Sequence, residues 1–373
     1  MPTQTLIRWL LNEGRKAHSV PELLAAFGPE VAKVSPLERI WAGTKVLHPQ
    51  AAAYLWVWRE GQPVIERSLG YDVIDAPKLA DSPILRLRQG TPEVHFKAPD
   101  SDGMADLQSV WDAGYTELYG DSIYFRDRWM GGVTWSTSAA FSSANIQMFR
   151  DLNPALSAVI EPLAADLVTS TLLRTYLGAD AGNRVFHGQI NRGDGSSLRA
   201  VVWVSDVRDF TRLSEKLTRD ELLGLLNDGF ELVVNTVEEH GGQVLKFMGD
   251  GALAVFPCDE GDGHACESAR RAALALIEKL GALSREVPIR MGVGLHLGEV
   301  AYGNIGSPSR LDFTVIGSAV NLAARVESQC RALGQTVLAT KQVAEHNPAG
   351  WSVAGEAELK GVAGTTRLYC PSS

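Results

Sequence analysis

The sequence predicts an α+β protein built from two domains. At 373 residues the chain is longer than one typical domain, and either half is long enough to bury a core of its own. Seven of the nine tryptophans lie before residue 140, so the two halves differ in composition. The later half alternates β-rich apolar runs with segments of helical spacing. We therefore expect a first domain over residues 1–150, a linker helix and connector over 151–184, and a second domain over 185–373.

The overall composition is that of an ordinary soluble globular protein, with 21% charged and 45% apolar residues. A net charge of -9 argues against a nucleic-acid partner, because binding to phosphates needs a basic face. No segment reaches the ~18 apolar residues of a membrane-spanning helix, and residues 1–11 lack a signal-peptide core. The four cysteines have neither CxxC nor disulfide-like spacing. We expect a cytoplasmic protein without a membrane partner.

The first domain is predicted to mix strands with short helices. The predicted elements are strands at 54–58 and 63–68, an extended segment at 93–97, a helix near 107–118 and a strand at 131–136. This order resembles a GAF- or PAS-type sensor domain. His48 and His95 are the candidate haem or metal ligands, although single histidines in such domains are more often surface or core residues. No ligand is assigned to this domain.

Residues 151–177 are predicted to form the linker helix. Apolar residues recur there at near-helical spacing, with Asn153 as the N-cap and Pro154 at the first helical position. Several glycines follow between Gly178 and Gly195, and they predict an irregular connector.

The second domain shows a clearer order of strands and helices. Residues 200–204 form a continuous apolar run typical of a buried central strand, and this run leads to Asp206. Thr218 and Glu221 form a capping box that opens a helix. Two further strands, at 244–247 and 252–256, flank a glycine-containing turn with Asp250.

Two aspartates therefore lie where a strand gives way to a loop, in residues 204–211 (VSDVRDFT) and 246–251 (KFMGDG). Asp206 and Asp250 are 44 positions apart (250 minus 206), yet the ends of neighbouring strands can bring them together. Without a cation such a pair would repel and raise one pKa, so it indicates a divalent-metal site. Aspartates at strand ends and turns are common, so these two positions alone leave a purely structural interpretation open.

A third segment, residues 310–325 (RLDFTVIGSAVNLAAR), passes from a β-rich run through Gly317 into a helix. Asn321 and Arg325 are at positions i and i+4, so they share one face of that helix. An amide and a guanidinium there suit ribose and phosphate oxygens. The alternative is a solvated polar face.

Together the three segments, in this order and spacing, resemble the catalytic domain of class III adenylate and guanylate cyclases over about residues 185–370. The resemblance implies a ferredoxin-like βαββαβ core that dimerises head to tail, with active sites at the subunit interface. It implies a homodimer that converts ATP to cyclic AMP and pyrophosphate by in-line attack of the ribose 3′-oxygen on the α-phosphorus. Two Mg²⁺ or Mn²⁺ ions per active site would be bound by Asp206, Asp250 and the main-chain carbonyl of Val207. Backbone amides up to Phe210 and Thr211 would hold the phosphates.

The same resemblance implies roles for residues of the later motifs. Asn321 would orient the ribose and Arg325 would stabilise charge on the reacting phosphorus. Lys246 and Thr314 occupy the purine-reading positions, and a lysine, which can only donate, favours the acceptor N1 of adenine over guanine. Thr314 is similar to the class IIIb subset, whose members often respond to bicarbonate. Lys360 resembles a lysine that contacts the terminal phosphates.

One position departs from the family pattern, since Asp209 stands where the family usually has glycine. Asp tolerates unusual backbone angles, but its charge is expected to weaken nucleotide binding. Two alternatives to the adenylate cyclase stay open: a guanylate cyclase, and a catalytically silent nucleotide-binding or dimerisation module. The regulator is bicarbonate or an unknown ligand of the first domain.

Overall fold

The computed structural model describes residues 2–47, 51–74, 82–100, 103–125, 127–362 and 364–372, with the side chains of 73 and 74 left out. The chain divides into two compact units, Met1–Leu172 and Leu173–Ser373. The division falls inside the segment 151–184 that the sequence assigns to the linker. Each unit has its own sheet and its own buried core.

The first unit is built on a six-stranded sheet in the order β3-β2-β1-β6-β5-β4, and every neighbouring pair is antiparallel. Its strands are β1 (Arg39–Lys45), β2 (Ala53–Arg59), β3 (Ile65–Leu69), β4 (Glu93–Lys97), β5 (Glu117–Phe125) and β6 (Arg128–Thr137). Its helices are α1 (Pro2–Asn12), α2 (Val20–Ala32), α3 (Tyr71–Ile74), α4 (Pro83–Arg88), α5 (Ala105–Asp112) and α6 (Ser143–Leu177). A short 3-10 turn covers Gly14–Lys16.

Aromatic packing joins helix α6 to the sheet in the core of this unit. Trp135 on β6 stacks on Phe149 of α6 with ring centroids 4.7 Å apart, and Tyr119 and Phe141 also contact the Phe149 ring. Stacked and edge-to-face aromatic pairs contribute beyond the area they bury. The core therefore fixes the first part of α6 against β5 and β6.

The strands expected in this unit are confirmed within a few residues, but the helix expected near 107–118 is too long. It ends at Asp112, because Gly114 takes the left-handed conformation (φ +94) and β5 starts at Glu117. His95 lies on β4 with Nε2 2.6 Å from Glu117, whereas His48 lies outside the described residues. The assignment to a GAF or PAS family stays a prediction.

Helix α6 begins ten residues earlier than its predicted cap. Ser142 accepts the backbone N–H of Asn145 and opens the helix at Ser143, so Asn153 is not the N-cap. The Asn153 amide instead donates to the carbonyl of Ser122, and Pro154 lies inside the helix.

By length and composition alone, α6 is apolar enough to cross a membrane, which corrects the expectation that no segment would be. No other helix among the described residues meets this criterion of length and composition. The core helices of soluble proteins can also meet it. Its buried residues belong to the core of the first unit, for example Phe149, Leu152 and Leu156.

The second unit has an eight-stranded sheet in the order β13-β14-β12-β10-β7-β9-β8, and β11 pairs with β10. Its strands are β7 (Gly195–Val207), β8 (Gln243–Met248), β9 (Gly251–Pro257), β10 (Met291–Ser307), β11 (Arg310–Ile316), β12 (Val337–Thr340), β13 (Trp351–Glu358) and β14 (Thr365–Pro371). Its helices are α7 (Ala179–Phe186), α8 (Phe210–Lys216), α9 (Arg219–Glu239), α10 (Asp262–Ala282), α11 (Ser318–Ala332) and α12 (Lys341–Ala344). A 3-10 turn covers Pro348–Gly350.

The first four strands of this unit carry a βαββαβ arrangement. In chain order β7, β8, β9 and β10 are strands one to four, and they stand side by side as 4-1-3-2 with all neighbours antiparallel. Helices α9 and α10 bury their apolar faces against one side of this sheet, where Leu225, Val233 and Leu276 join its core. The arrangement is the ferredoxin-like core that the sequence resemblance implied. The capping box of Thr218 and Glu221 at the start of α9 is also confirmed.

The glycine-rich connector contains a helix that the sequence analysis did not predict. Helix α7 is held to β10, where the Tyr302 hydroxyl donates to Asp180 over 2.8 Å and the Arg184 guanidinium lies over the Tyr302 ring. Gly178 turns the chain into α7 with φ +85, and Gly182 lets the helix approach the preceding backbone. These glycines permit a tight turn and close packing, so they do not break the structure there.

Candidate active site

The sheet brings the two predicted metal-binding aspartates together. Asp206 near the end of β7 pairs with Gly251, the residue after Asp250, and Val207 donates its backbone N–H to the carbonyl of Asp250 over 3.2 Å. A Cβ on Gly251 would lie 2.5 Å from the Ser205 carbonyl oxygen and 3.0 Å from Oδ1 of Asp206. Glycine at this position therefore leaves room for the Asp206 carboxylate beside the turn that carries Asp250.

The electrostatics of this pair fit a cation. Burial and, to a smaller extent, the nearby Asp250 carboxylate raise the pKa of Asp206 to about 6, and Arg208 opposes both effects. Two carboxylates that destabilise each other's charge form a suitable donor set for a hard divalent ion. The described residues hold no group of three or more His, Cys, Asp or Glu side chains suited to a metal. The remaining ligands would be the Val207 carbonyl, phosphate oxygens or water.

An ion pair of Arg208 and Glu327 lies close to these two aspartates. The Arg208 guanidinium is 3.2 Å from the Glu327 carboxylate, and Glu327 on α11 is buried. Burial raises the pKa of Glu327 to about 7, with Arg208 opposing and Asp206 and Asp250 adding to the rise. Gly292 lies under the pair, where any Cβ would overlap the Arg208 guanidinium. The local sequence pattern carries no signal for this pair.

Asp209, the departure from the family pattern, takes the left-handed conformation that such a residue tolerates (φ 59, ψ 27). Among the described residues other than glycine, it alone has a positive φ. Its carboxylate does not cap α8 and is instead paired with the guanidinium groups of Arg290 (3.3 Å) and Arg331. The negative charge of Asp209, which we expected to face the nucleotide, is thus paired with two arginines of the same chain.

The predicted purine-reading residues lie on β8 and β11. Nζ of Lys246 donates to Oδ2 of Asp312 over 2.8 Å, a partner that the sequence analysis did not assign. Thr314, two residues further along β11, is only 4% exposed, and its hydroxyl has no hydrogen-bond partner. The period of two along a strand was the available signal, because it places Asp312 and Thr314 on one face.

Asn321 and Arg325 project from α11, which starts after Gly317. Asn321 is exposed and Arg325 is half-buried. A Cβ on Gly361 would lie 3.6 Å from both terminal nitrogens of the Arg325 guanidinium. The exposed Lys360 precedes Gly361, so the chain from Leu359 to Gly361 runs beside Arg325.

The two predicted phosphate-loop side chains differ in their surroundings. Phe210 is half-buried and packs against the main core of the second unit, whereas Thr211 is exposed on α8. Within the part of the chain that the structure describes, no hydrogen bond or ion pair joins Asp206 or Asp250 to the group of Lys246, Thr314, Asn321 and Arg325. Asp206 and Asp250 are therefore not held in place by direct polar contacts with that group.

The second half of this chain is similar in sequence to known proteins. Residues 197–370 match the family described as the adenylate and guanylate cyclase catalytic domain. An adenylate cyclase of Anabaena cylindrica is 33% identical over 164 residues, which are 41% of this chain and 32% of that protein. Adenylate cyclase 1 of Rhizobium meliloti is 33% identical over 145 residues, which are 37% of this chain and 22% of that protein.

A solved structure of a bacterial light-regulated adenylyl cyclase has a TM-score of 0.50 and 26% identity to this chain. The superposition covers 59% of this chain and 64% of that one. In both curated relatives the match spans about a third of the protein's length or less. The similarity therefore lies in the catalytic domain, and the rest of those proteins has no counterpart in the match.

Proposed function

We propose that this chain, whose residues 197–370 match the adenylate and guanylate cyclase catalytic domain, converts ATP to 3′,5′-cyclic AMP and pyrophosphate as a homodimer. The observation that carries the proposal is the convergence of Asp206 and Asp250 at adjacent strand ends. Two carboxylates in this arrangement suit Mg²⁺ or Mn²⁺, and an acidic protein that handles a triphosphate needs such a cation.

The resemblance of the three sequence segments to class III cyclases, whose active sites lie at the subunit interface, supports a composite site. One subunit would supply Asp206, Asp250 and the Val207 carbonyl, and its partner would supply the purine-reading residues, Asn321 and Arg325. Exposed apolar side chains lie close to the predicted purine residues in sequence, among them Phe247, Met248 and Ile316. A two-fold interface would cover such side chains and complete two sites at once.

The chain's own residues position the reacting atoms. Asn321 would hydrogen-bond the ribose, and Arg325 would follow the negative charge that builds on the α-phosphoryl oxygens. The ribose 3′-oxygen attacks the α-phosphorus in line, its proton leaves to solvent, and the bond from phosphorus to the pyrophosphate oxygen breaks. The bound divalent metal supplies Lewis-acid stabilisation of the 3′-oxygen and of the leaving phosphates. Lys360, the residue before Gly361, would contact the terminal phosphates.

ATP is the proposed substrate because Lys246 can only donate a hydrogen bond, and adenine N1 accepts one. A guanylate cyclase is the second candidate, and a silent nucleotide-binding module is the third. The first unit would regulate the activity through α6 and α7, with bicarbonate or another small molecule as the signal. A cytoplasmic location also remains a proposal.

The test is a paired assay of the purified chain with ATP and with GTP in Mg²⁺ and in Mn²⁺, with chromatographic separation of the cyclic products. We expect cyclic AMP and pyrophosphate in equal amounts and a clear preference for ATP. Cyclic GMP as the main product would establish the second candidate. Nucleotide binding without either product would establish the third.

A further inference from the structure

Lys246 is not free in this structure, because its ammonium donates to Oδ2 of Asp312 over 2.8 Å. The two side chains are 32% and 56% exposed. An ion pair this exposed contributes little to folding stability, typically about 0–1 kcal/mol. Stability therefore does not explain why a carboxylate is placed against the lysine that the proposed function assigns to the base.

We propose that Asp312 is a specificity-determining residue that accepts a hydrogen bond from the 6-amino group of adenine, beside the bond that Lys246 donates to N1. The inference rests on the proposed function and deepens it. It adds to the purine-reading set a residue that lies on the same strand face as Thr314.

The surroundings of the pair support a ligand that supplies hydrogen bonds. Thr314 is 4% exposed, and its hydroxyl has no partner, whereas buried hydroxyl groups are usually paired. Residues 312 and 314 share a face of β11 because side chains alternate along a strand. A donor, an acceptor and an unsatisfied hydroxyl thus belong to one short stretch of β8 and β11.

The pair has the hydrogen-bonding order of adenine. An ionised aspartate only accepts and a lysine only donates, whereas adenine presents the acceptor N1 next to the donor 6-amino group. Guanine presents the reverse at these two positions, a donor at N1 and an acceptor at O6. In the same pose guanine would set N1–H against the ammonium and O6 against the carboxylate, so both contacts would be repulsive. Such unpaired polar groups are a strong source of discrimination.

The experiment combines the variant Asp312→Asn with a substrate that lacks the 6-amino group of adenine. Purine riboside triphosphate keeps N1 but has no 6-amino group. We expect Asp312→Asn to lower kcat/KM for ATP about tenfold, because a neutral amide replaces the charged acceptor of the 6-amino group and its own NH₂ group can only repel that donor. With purine riboside triphosphate the same variant should change kcat/KM less than about twofold, since the bond is absent from the start. Asp220→Asn, an exposed aspartate on α9, is the matched control.

An equal loss with both substrates would mean that Asp312 only positions Lys246, and it would overturn the proposal. No loss with ATP would overturn it too. If the wild-type chain converts neither nucleotide, calorimetric affinities for ATP and purine riboside triphosphate in Mg²⁺ give the same comparison. Failure of the cyclase assignment is thereby separated from failure of this inference.

A second set of variants tests whether Asp312 contacts the substituent at position 6 of the purine. Lys246→Glu with Thr314→Cys should raise GTP use only slightly, because Asp312 would still repel guanine O6 and would lie against the new glutamate. Adding Asp312→Asn supplies an amide donor for O6, so the triple variant should prefer GTP at least about tenfold more than the double variant. A double variant that already prefers GTP as strongly as the triple variant would overturn the proposal.

Discussion

Asp206 pairs with Gly251 across β7 and β9, and this register sets the Asp206 carboxylate beside the turn that carries Asp250. The neighbouring strand end is fixed by the hydrogen bond from the Val207 N–H to the Asp250 carbonyl. The two acidic groups are therefore positioned by the backbone of the sheet. A cation bound there would meet a preformed site.

The metal assignment predicts a loss of activity without a loss of fold. Asp250→Asn should reduce cyclic AMP formation at least about a hundredfold, because the neutral amide is a much weaker ligand for a divalent cation than the carboxylate. Thermal unfolding should change little, since the side chain lies at a turn. Asp259→Asn, at an exposed position two residues beyond the other end of β9, is the matched control and should behave as the wild type. Near-normal activity of Asp250→Asn at ordinary Mg²⁺ would refute the assignment.

The composite site predicts complementation between two inactive variants. Asp206→Asn should lose both metal sites of its homodimer, and Arg325→Ala should lose the cation that stabilises the transition state, which typically costs about a hundred- to a thousandfold in rate. In a mixed dimer one active site contains both substitutions and the other contains neither. Random mixing should restore about a quarter of the wild-type activity, since half the dimers carry one intact site in two.

The measurement is cyclic AMP output after the two purified variants have exchanged subunits, with a different tag on each. Tandem purification confirms that mixed dimers have formed. Mixed dimers without recovered activity would show that each chain holds its own complete site.

Asp209 predicts a gain in nucleotide affinity when its charge is removed. Its carboxylate holds Arg290 and Arg331, so these cations are partly neutralised within the chain. Asp209→Asn keeps a residue that tolerates φ 59 and frees both guanidinium groups for the triphosphate. We expect KM for ATP to fall by up to about fivefold, the equivalent of the ~1 kcal/mol of an exposed ion pair.

Asp209→Gly, which also accepts the left-handed backbone, should lower KM in the same direction. Initial-rate kinetics over a range of ATP concentrations provide the measurement. A higher KM in both variants would mean that the carboxylate organises the loop for binding.

The first unit contains a carboxyl group whose ionisation should make stability depend on pH. Asp121 is 5% exposed, and burial raises its pKa to about 6, with the Tyr119 hydroxyl opposing and the Glu93 charge adding. The folded pKa lies above the unfolded value, so this stabilising contribution is full below about pH 4 and is lost as pH rises through 6. At pH 7 the ionised group costs on the order of 3 kcal/mol.

Asp121→Asn should therefore raise the Tm of the full chain at pH 7–8 more than at pH 5. Tyr119 already contacts both Glu93 and Asp121, and the amide retains an acceptor for its hydroxyl. Asp166→Asn, an exposed site on α6, is the control. If the Tm of Asp121→Asn differed from that of the wild type by the same amount at every pH, the prediction would be contradicted.

Close packing between α6 and α7 predicts that Gly182 cannot be replaced by a larger residue without a loss of stability. A Cβ on Gly182 would lie 2.6 Å from the backbone of Leu173 and Arg174, so Gly182→Ala should push α7 away from α6 and destabilise the second unit by about 1–3 kcal/mol. If this segment transmits regulation, basal cyclase activity should change as well. Gly281→Ala on α10 meets open space and should be neutral or slightly stabilising. Thermal unfolding and basal activity that match those of Gly281→Ala would exclude such a role.

The sequence by itself determined the features that local patterns encode. The apolar run before Asp206, the capping box of Thr218 and Glu221, and the glycine turn at Asp250 each depend on a few neighbouring residues. The same patterns predicted the strands at 200–204, 244–247 and 252–256. The ferredoxin-like core was implied by the resemblance to class III cyclases and not by these patterns. They failed at Asn153 and in 178–195, where distant contacts decided the helix boundaries.

Only the tertiary structure decided which side chains meet. Lys246 and Asp312 are 66 positions apart, and Asp209 and Arg331 are 122 positions apart. The sheet register and the packing of α11 bring these charges together, and no local period in the sequence encodes such contacts. For the same reason, the sequence identified Asp209 as an unusual residue in the loop, whereas the fold determined that two arginines neutralise its charge.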